Sequence, residues 1–206
     1  MSKQMFKQPL LYFIASQIPG RSLTSTVAGA IEGGVDVVQL REKNLPKEQI
    51  LPLAKAISTI VKQKGKIFLV NHHLEVALEV GADGVHLGHS GPTIREARRV
   101  LGSQAIIGAS VHDLAEVKRA VEDGADYLLV SHIFHTDSKP GLPPKGLELL
   151  SQAMESFSLP VIALGGINAS NISQVAAMGC PRVAVMSAIL KAENPRDVAK
   201  SLKDIL

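Results

Sequence analysis

The chain has no tryptophan, two tyrosines and five phenylalanines among its 206 residues. Surfaces that stack nucleic-acid bases need aromatic platforms, so that class of function is excluded. A core short of aromatics must be filled by Val, Ile, Leu and Ala, the mixture that packs inside parallel sheets covered by helices on both faces. Cysteine is almost as scarce. Cys180 stands alone, which excludes an intrachain disulfide and a cysteine-cluster metal site, and is read as a small buried residue in a protein of a reducing compartment. No stretch approaches the roughly 20 consecutive apolar residues of a membrane span. The start is interrupted by Lys3, Lys7 and Pro9 and does not read as a signal peptide. The expected location is therefore cytoplasmic, without a membrane partner. A strong charge of one sign is also missing: the formal net charge is +3, with only short basic clusters at Lys62/Lys64/Lys66 and Arg95/Arg98/Arg99. This suits a small anionic ligand better than DNA, which favours a concentrated basic face.

What is present is ordinary globular composition, 46% hydrophobic and 20% charged. The length predicts one domain over residues 1–206. Short β-branched runs alternate with longer helical patterns such as Leu74, Val76, Ala77, Val80 or Leu114, Val117, Val121. The predicted strands are Leu10–Ala15, Val35–Leu40, Lys66–Val70, Gly84–Leu87, Ala105–Ala109, Tyr127–Val130, Val161–Leu164 and Val183–Met186. Eight such units take about 26 residues each, close to the compact limit for a strand, a helix and two turns. An internal repeat supports the division: Gly34-Val-Asp36, Gly81-Ala-Asp83 and Gly124-Ala-Asp126 share one form, and Gly179-Cys-Pro-Arg182 looks like a worn fourth copy. Eight units with no Gly-x-Gly-x-x-Gly after the first strand favour a (β/α)8 TIM barrel over an open doubly wound sheet.

Barrels of this kind place their sites at the C-terminal ends of the strands. That rule gathers Arg41, Glu42 and Lys43 with Asn71, His72 and His73, then His89 and Ser90, then Ser110 and His112. The sixth unit adds Ser131, His132, His135, Thr136, Ser138 and Lys139, with a Pro/Gly-rich loop through Gly146 long enough to act as a lid. All seven histidines lie in or just beyond strands three to six, where proton transfer would use them. His86, flanked by Val85 and Leu87, reads instead as a hydrogen-bonded packing residue. His72, His73 and His89 raise a zinc reading, but there is no helical His-Glu-x-x-His and no carboxylate beside them, so no metal is expected. Gly165-Gly166 runs into Asn168 and Ser170, which can cap the next helix, and Met186-Ser187 opens the last one. Helix starts after strands seven and eight often hold phosphate.

These segments, in this order, resemble the thiamine phosphate synthase superfamily over nearly the whole chain. The resemblance is carried by Val38-Gln-Leu-Arg-Glu-Lys43, Val70-Asn71, Gly81-Ala-Asp-Gly-Val-His-Leu-Gly88 and Ile107-Gly-Ala-Ser110. It continues through Phe134-His-Thr-Asp-Ser-Lys139, Leu164-Gly-Gly-Ile-Asn168 and Val183-Ala-Val-Met-Ser-Ala-Ile189. It implies a thiamine phosphate synthase-like barrel acting on thiamine-precursor phosphates. In the synthase branch, which joins a pyrimidine diphosphate to a thiazole phosphate, Mg2+ is held by acids at positions that here are His72 and Gly91; neither replaces a hard carboxylate ligand. Thr136-Asp-Ser138-Lys139 keeps both hydroxyls and the cation of the synthase's Thr-x-Thr-Lys.

The TenI-type thiazole tautomerase branch, which aromatises a thiazole carboxylate phosphate without metal or cofactor, matches at Ser110-Val-His112 and Ser131-His132-Ile-Phe-His-Thr-Asp137. On the missing acids, the resemblance implies an isomerase. His132 would be the principal acid/base and His112 its partner, with Arg41, Lys43 and Lys139 offsetting substrate charge. Gly166, Met186 and Ser187 would hold the phosphate, and Gln39, Asn71, Ser110, Thr136, Ser138 and Gly165 would complete the binding surface. Two alternatives stand beside it: the Mg2+-dependent synthase, and a non-catalytic regulatory protein that binds thiazole phosphate. A homodimer is in keeping with small barrels of this kind.

Overall fold

Strand and helix alternate from one end of the chain to the other in this computed structural model, which describes residues 4, 6, 8–43 and 45–206. The strands are β1 (Leu10–Ala15), β2 (Val37–Leu40), β3 (Ile67–Asn71), β4 (Gly84–Leu87), β5 (Ile106–Val111), β6 (Tyr127–Ser131), β7 (Val161–Leu164) and β8 (Arg182–Val185). Between them run α1 (Leu23–Glu32), α2 (Lys47–Gln63), α3 (Leu74–Glu79), α4 (Ile94–Leu101), α5 (Leu114–Glu122), α6 (Gly146–Ser156) and α7 (Ile172–Ala177); α8 (Ser187–Leu190) and α9 (Pro195–Lys203) follow β8. Every neighbouring pair of strands is parallel, and β8 returns to β1 with Leu10 opposite Arg182, so the sheet closes. This is the expected (β/α)8 barrel. Among the described residues no helix is long and apolar enough to cross a membrane.

Leu10–Ala15, Gly84–Leu87 and Val161–Leu164 stand as predicted, while the other five strands shift by one or two residues at their ends, and the shifts matter for the site. Asn71 ends β3, Ser110 lies on β5 and Ser131 ends β6, so these side chains are held by sheet hydrogen bonds rather than by loops. The last unit also differs from expectation. Met186-Ser187 opens only the four-residue α8, and the final helix starts later, at Pro195, behind an Asn194 cap.

Strand alternation sorts the aliphatic core into two bodies. Leu10, Tyr12 and Ile14 point into the barrel with Val37, Ile67, Leu69, Ile106, Tyr127, Leu129, Ile162 and Ala184. Leu11, Phe13 and Ala15 face the helices within a much larger outer cluster that includes the buried Cys180. Three of the seven aromatics, Phe6, Tyr12 and Tyr127, lie in the interior, where Phe6 stacks on Tyr127 with ring centroids 4.5 Å apart. Gly108 makes room for that tyrosine, because a Cβ there would sit 2.0 Å from its ring.

The repeated Gly-x-Asp segments do more than turn the chain. Asp36 donates its N–H to Leu11 O at 2.9 Å while its carboxylate accepts Leu11 N–H at 3.1 Å, tying β2 to β1 at the N-terminal end. Asp83 makes the same pair of bonds with Phe68, and Asp126 with Ile107. Lys66 and Lys203 pair with Asp36, and Arg98 with Asp126. In the worn copy a cation takes over, the Arg182 Nε–H donating to Val161 O at 3.0 Å. The four copies thus clamp β1–β2, β3–β4, β5–β6 and β7–β8 on the face remote from the strand ends that carry the histidines.

Candidate active site

At the C-terminal mouth of the barrel a cavity of about 410 Å³ is lined by side chains from all eight strands or the loops after them. Its floor is a buried ladder of polar groups. The Tyr12 hydroxyl donates to Gln39 Oε1 at 2.7 Å, and Gln39 Nε2 donates to Asn71 Oδ1 at 3.0 Å. Tyr12 also meets the Tyr127 hydroxyl at 3.0 Å, Tyr127 meets His86 Nδ1 at 2.9 Å, and His86 Nε2 meets Ser110 Oγ at 2.8 Å. Each hydroxyl has one proton, so the direction of the chain follows. Tyr12 gives its proton to Gln39, so Tyr127 must donate to Tyr12. His86 must then donate from Nδ1, and Ser110 donates to the bare Nε2. Burial holds the His86 imidazole neutral, its pKa lowered to about 3, and pushes both tyrosine hydroxyls up. The expectation that His86 is a hydrogen-bonded packing residue fits this position, although its ring also borders the cavity.

The cations stand above this floor. Arg41, Lys43 and Lys139 all line the cavity, and each is held below its ordinary pKa: Arg41 and Lys139 first by burial, Lys43 first by the neighbouring Arg41 charge. Burial, and for Lys43 and Lys139 the neighbouring cations as well, disfavour the charged forms here, a setting that an anionic ligand would relieve. Glu42 partly offsets the Arg41 charge from a buried position, where its Oε1 accepts Gln17 N–H at 2.6 Å.

The two glycines after β7 have a steric cause. Gly165 and Gly166 both have positive φ, 107° and 67°. A Cβ on Gly165 would lie 2.4 Å from the His132 Cβ, and one on Gly166 would lie 2.2 Å from His135 O. The β7 loop therefore lies directly against the β6 loop and completes the wall. Asn168 and Ser170 do not cap the next helix as expected. Asn168 Oδ1 accepts from the Ser170 N–H and hydroxyl, while α7 starts after Asn171. The long loop after β6 is tied back at its end, where Lys145 N–H donates to His132 O at 2.8 Å and Gly146 N–H to Ile133 O at 3.2 Å.

Every residue singled out as catalytic or substrate-binding from the sequence borders this one cavity: His112, His132, Gln39, Arg41, Lys43, Asn71, Ser110, Thr136, Ser138, Lys139, Gly165, Gly166, Met186 and Ser187. The proposed partnership of His132 with His112 is a different matter, because no hydrogen bond joins them among the described residues. His132 Nε2 lies 3.3 Å from Leu142 O, and its buried Nδ1 has no protein partner. His112 contacts Ser131, Glu116 and His89 instead. Tyr12, Tyr127 and Glu116 were not foreseen. Of these only Glu116, four residues after His112, carried a local signal.

The positions expected to bear Mg2+ ligands hold something different. His72, at φ 61°, sends its Nε2 to accept Gly88 N–H at 2.8 Å, and its ring lies under Gly91, where a Cβ would be 2.8 Å from Cγ. The imidazole fills the space and its outer nitrogen is engaged. With no carboxylate at either position, these residues do not fit a magnesium ion.

Comparison with known proteins puts this geometry in context. The family described as thiamine monophosphate synthase matches residues 11–189. A thiamine-phosphate synthase of Methanoculleus marisnigri is 42% identical over 197 residues, covering 94% of this chain and 93% of the relative. The synthase of Gloeobacter violaceus is 41% identical over 90% of this chain and 54% of its own length. Among solved structures, thiamine phosphate pyrophosphorylase from Pyrococcus furiosus superposes with a TM-score of 0.89 at 35% identity, covering 98% of this chain and 96% of that one. These relatives overturn the expected thiazole tautomerase, and with it the isomerase class. The relative matched over nearly the whole of both chains carries the name of a transferase. The expectation rested on two missing acids, and the identity to a synthase over nearly the whole chain outweighs them.

Proposed function

The chain belongs to the thiamine monophosphate synthase family, and on that footing we propose that it is a thiamine-phosphate synthase, a transferase that joins a pyrimidine diphosphate to a thiazole phosphate. What carries the reading is the 42% identity to a synthase across nearly the whole of both chains. The cavity supports it by offering anion-holding groups on different loops. Arg41, Lys43 and Lys139 suit a diphosphate, and the backbone around Gly166, Met186 and Ser187 suits a single phosphate.

In the reaction, the thiazole ring nitrogen forms a bond to the carbon bearing the diphosphate. The C–O bond breaks, and its electron pair departs on pyrophosphate. No net proton transfer is needed, so His132 and His112 act here as positioning and hydrogen-bonding groups. Charge builds on the leaving oxygen, and the crowded cations are already in place to receive it. Because Arg41, Lys43 and Lys139 are already gathered at the mouth, partly buried, an anionic leaving group would offset charge that burial disfavours. Gln39 and Asn71, fixed by the ladder, offer oriented amides to a heterocycle, and Thr136 and Ser138 offer hydroxyls beside Lys139. No step is assigned to Mg2+, for the reason given by His72 and Gly91. In keeping with such biosynthetic kin, the proposed location is cytoplasmic.

The test is a coupled assay for pyrophosphate with the two precursors, run alongside chromatography of the product in buffers with and without Mg2+. One pyrophosphate per thiamine phosphate is expected, and Lys139→Ala should lower kcat by about 10²-fold or more. Absence of product from the folded wild-type chain at saturating precursors in both buffers would reject the proposal.

A further inference from the structure

We propose that His89, His112 and Glu116 form a three-ligand site for a borderline divalent cation of the zinc type on the wall of the cavity. The His89 Nε2 and His112 Nδ1 atoms are 3.0 Å apart, His112 Nδ1 and Glu116 Oε2 are 3.1 Å apart, and His89 Nε2 and Glu116 Oε2 are 3.3 Å apart. Ligands at about 2.0–2.2 Å from a tetrahedral zinc ion lie about 3.3–3.6 Å from one another. The triangle is thus only a few tenths of an ångström tighter than a loaded one.

The proton count favours an ion as well. All three converging atoms can present a lone pair, and two imidazole N–H groups aimed at Glu116 would set their protons against each other across the 3.0 Å N···N edge, so protons do not satisfy all three edges. One cation at the centre satisfies all three. His112 is prepared for that role: its other nitrogen, Nε2, lies 3.3 Å from Ser131 Oγ. A donor bond to that hydroxyl leaves Nδ1 bare, as metal-ligating histidines are ordinarily arranged. Glu116 is also held in place. The Asp113 cap of α5 accepts its N–H at 2.8 Å, and its Oε2 accepts His112 N–H at 2.7 Å.

The donor set decides the ion class. Two imidazoles and one carboxylate suit zinc, cobalt or nickel, whereas magnesium and calcium prefer all-oxygen sites. The carboxylate that His89 lacks in the sequence arrives from a different unit of the barrel. His89 and His112 both border the cavity, so an ion held there would have the substrate's anionic groups as neighbours. Glu116 offsets one of the ion's two charges, and a phosphate oxygen would be a natural further ligand. The inference does not depend on the synthase reading, because it concerns an ion taken up by the protein alone.

The experiment is titration of EDTA-dialysed protein with Co2+, a spectroscopic stand-in for zinc, followed by displacement with Zn2+. Four-coordinate Co2+ absorption is expected at one ion per chain and should disappear on adding Zn2+. His89→Gln and Glu116→Gln should each weaken binding by at least about tenfold. His73→Gln, outside the triangle, should not. His89 is exposed, so its replacement tests the site even if Glu116→Gln fails to fold. No stoichiometric uptake by the wild type, or uptake unchanged in His89→Gln, would overturn the proposal.

Discussion

Replacing Tyr127 by Phe removes one oxygen and leaves the ring to pack on Phe6 as before. The lost hydroxyl stands in the middle of the polar ladder, 3.0 Å from Tyr12 and 2.9 Å from His86 Nδ1. Two buried contacts go with it, at about 1 kcal/mol net for each hydrogen bond, and the His86 Nδ1–H would be left bare at a cost of about 1–3 kcal/mol. The ring can escape part of that penalty by moving its proton to Nε2, provided Ser110 turns its hydroxyl to accept. The expected destabilisation is therefore about 2 kcal/mol, or a fall in Tm of about 4–8 °C for a domain of this size. Urea and thermal unfolding measure the loss. Nitrogen NMR of histidine-labelled protein measures the cause, with His86 in the Nδ1–H form in the wild type and the Nε2–H form in Tyr127→Phe. Finding His86 in the Nε2–H form in the wild type would refute the assigned direction of the ladder, and unchanged stability in the variant would refute its energetic weight.

Two further outcomes follow from the same structure. The His86 pKa is depressed from 6.5 to about 3, and those of His72 and His112 are also lowered, in each case first by burial. Between pH 6.5 and 3 the unfolded chain binds a proton that folded His86 refuses, so stability falls as pH falls through that window, by about 1.4 kcal/mol per unit from this residue. Urea unfolding at pH 7 and pH 5 should differ by about 2 kcal/mol on its account, and His86→Gln should flatten the slope by about one proton; an unaltered slope would contradict the assignment. On the opposite face, Asp83→Ala strips the acceptor from Phe68 N–H, bonded at 2.8 Å, and should cost about 1.5–3 kcal/mol. Asp83→Asn, which keeps an acceptor, should recover most of that. Equal losses in the two variants would show that the clamp does not work through this hydrogen bond.

The barrel was legible in the sequence because its signals are local. Eight β-branched runs at regular spacing, with Gly-x-Asp turns between them, need no knowledge of distant contacts. The rule that strand ends carry the chemistry then placed Arg41, Asn71, Ser110 and Lys139 around one mouth. What escaped were the pairings between remote units. Tyr12 and Tyr127 lie 115 residues apart, and nothing near either marks it as a partner of the other. Glu116 could be linked to His112 by their four-residue spacing, but His89 reaches the pair from 23 residues upstream. The assignment of the branch failed for another reason. Two substituted acids show what two positions have lost, whereas the name carried by close kin follows the whole chain.

The clamps of Asp36, Asp83, Asp126 and Arg182 divide the barrel into four two-stranded staves, each fastened at its lower end. Their fastening is independent of which side chains crown the upper end. A mouth residue can therefore be exchanged without loosening the register that aims its neighbours. The imidazole of His72, packed under Gly91, is one such residue of the mouth. In this barrel the freedom to evolve new chemistry and the duty to stay folded are assigned to opposite ends of the same eight strands.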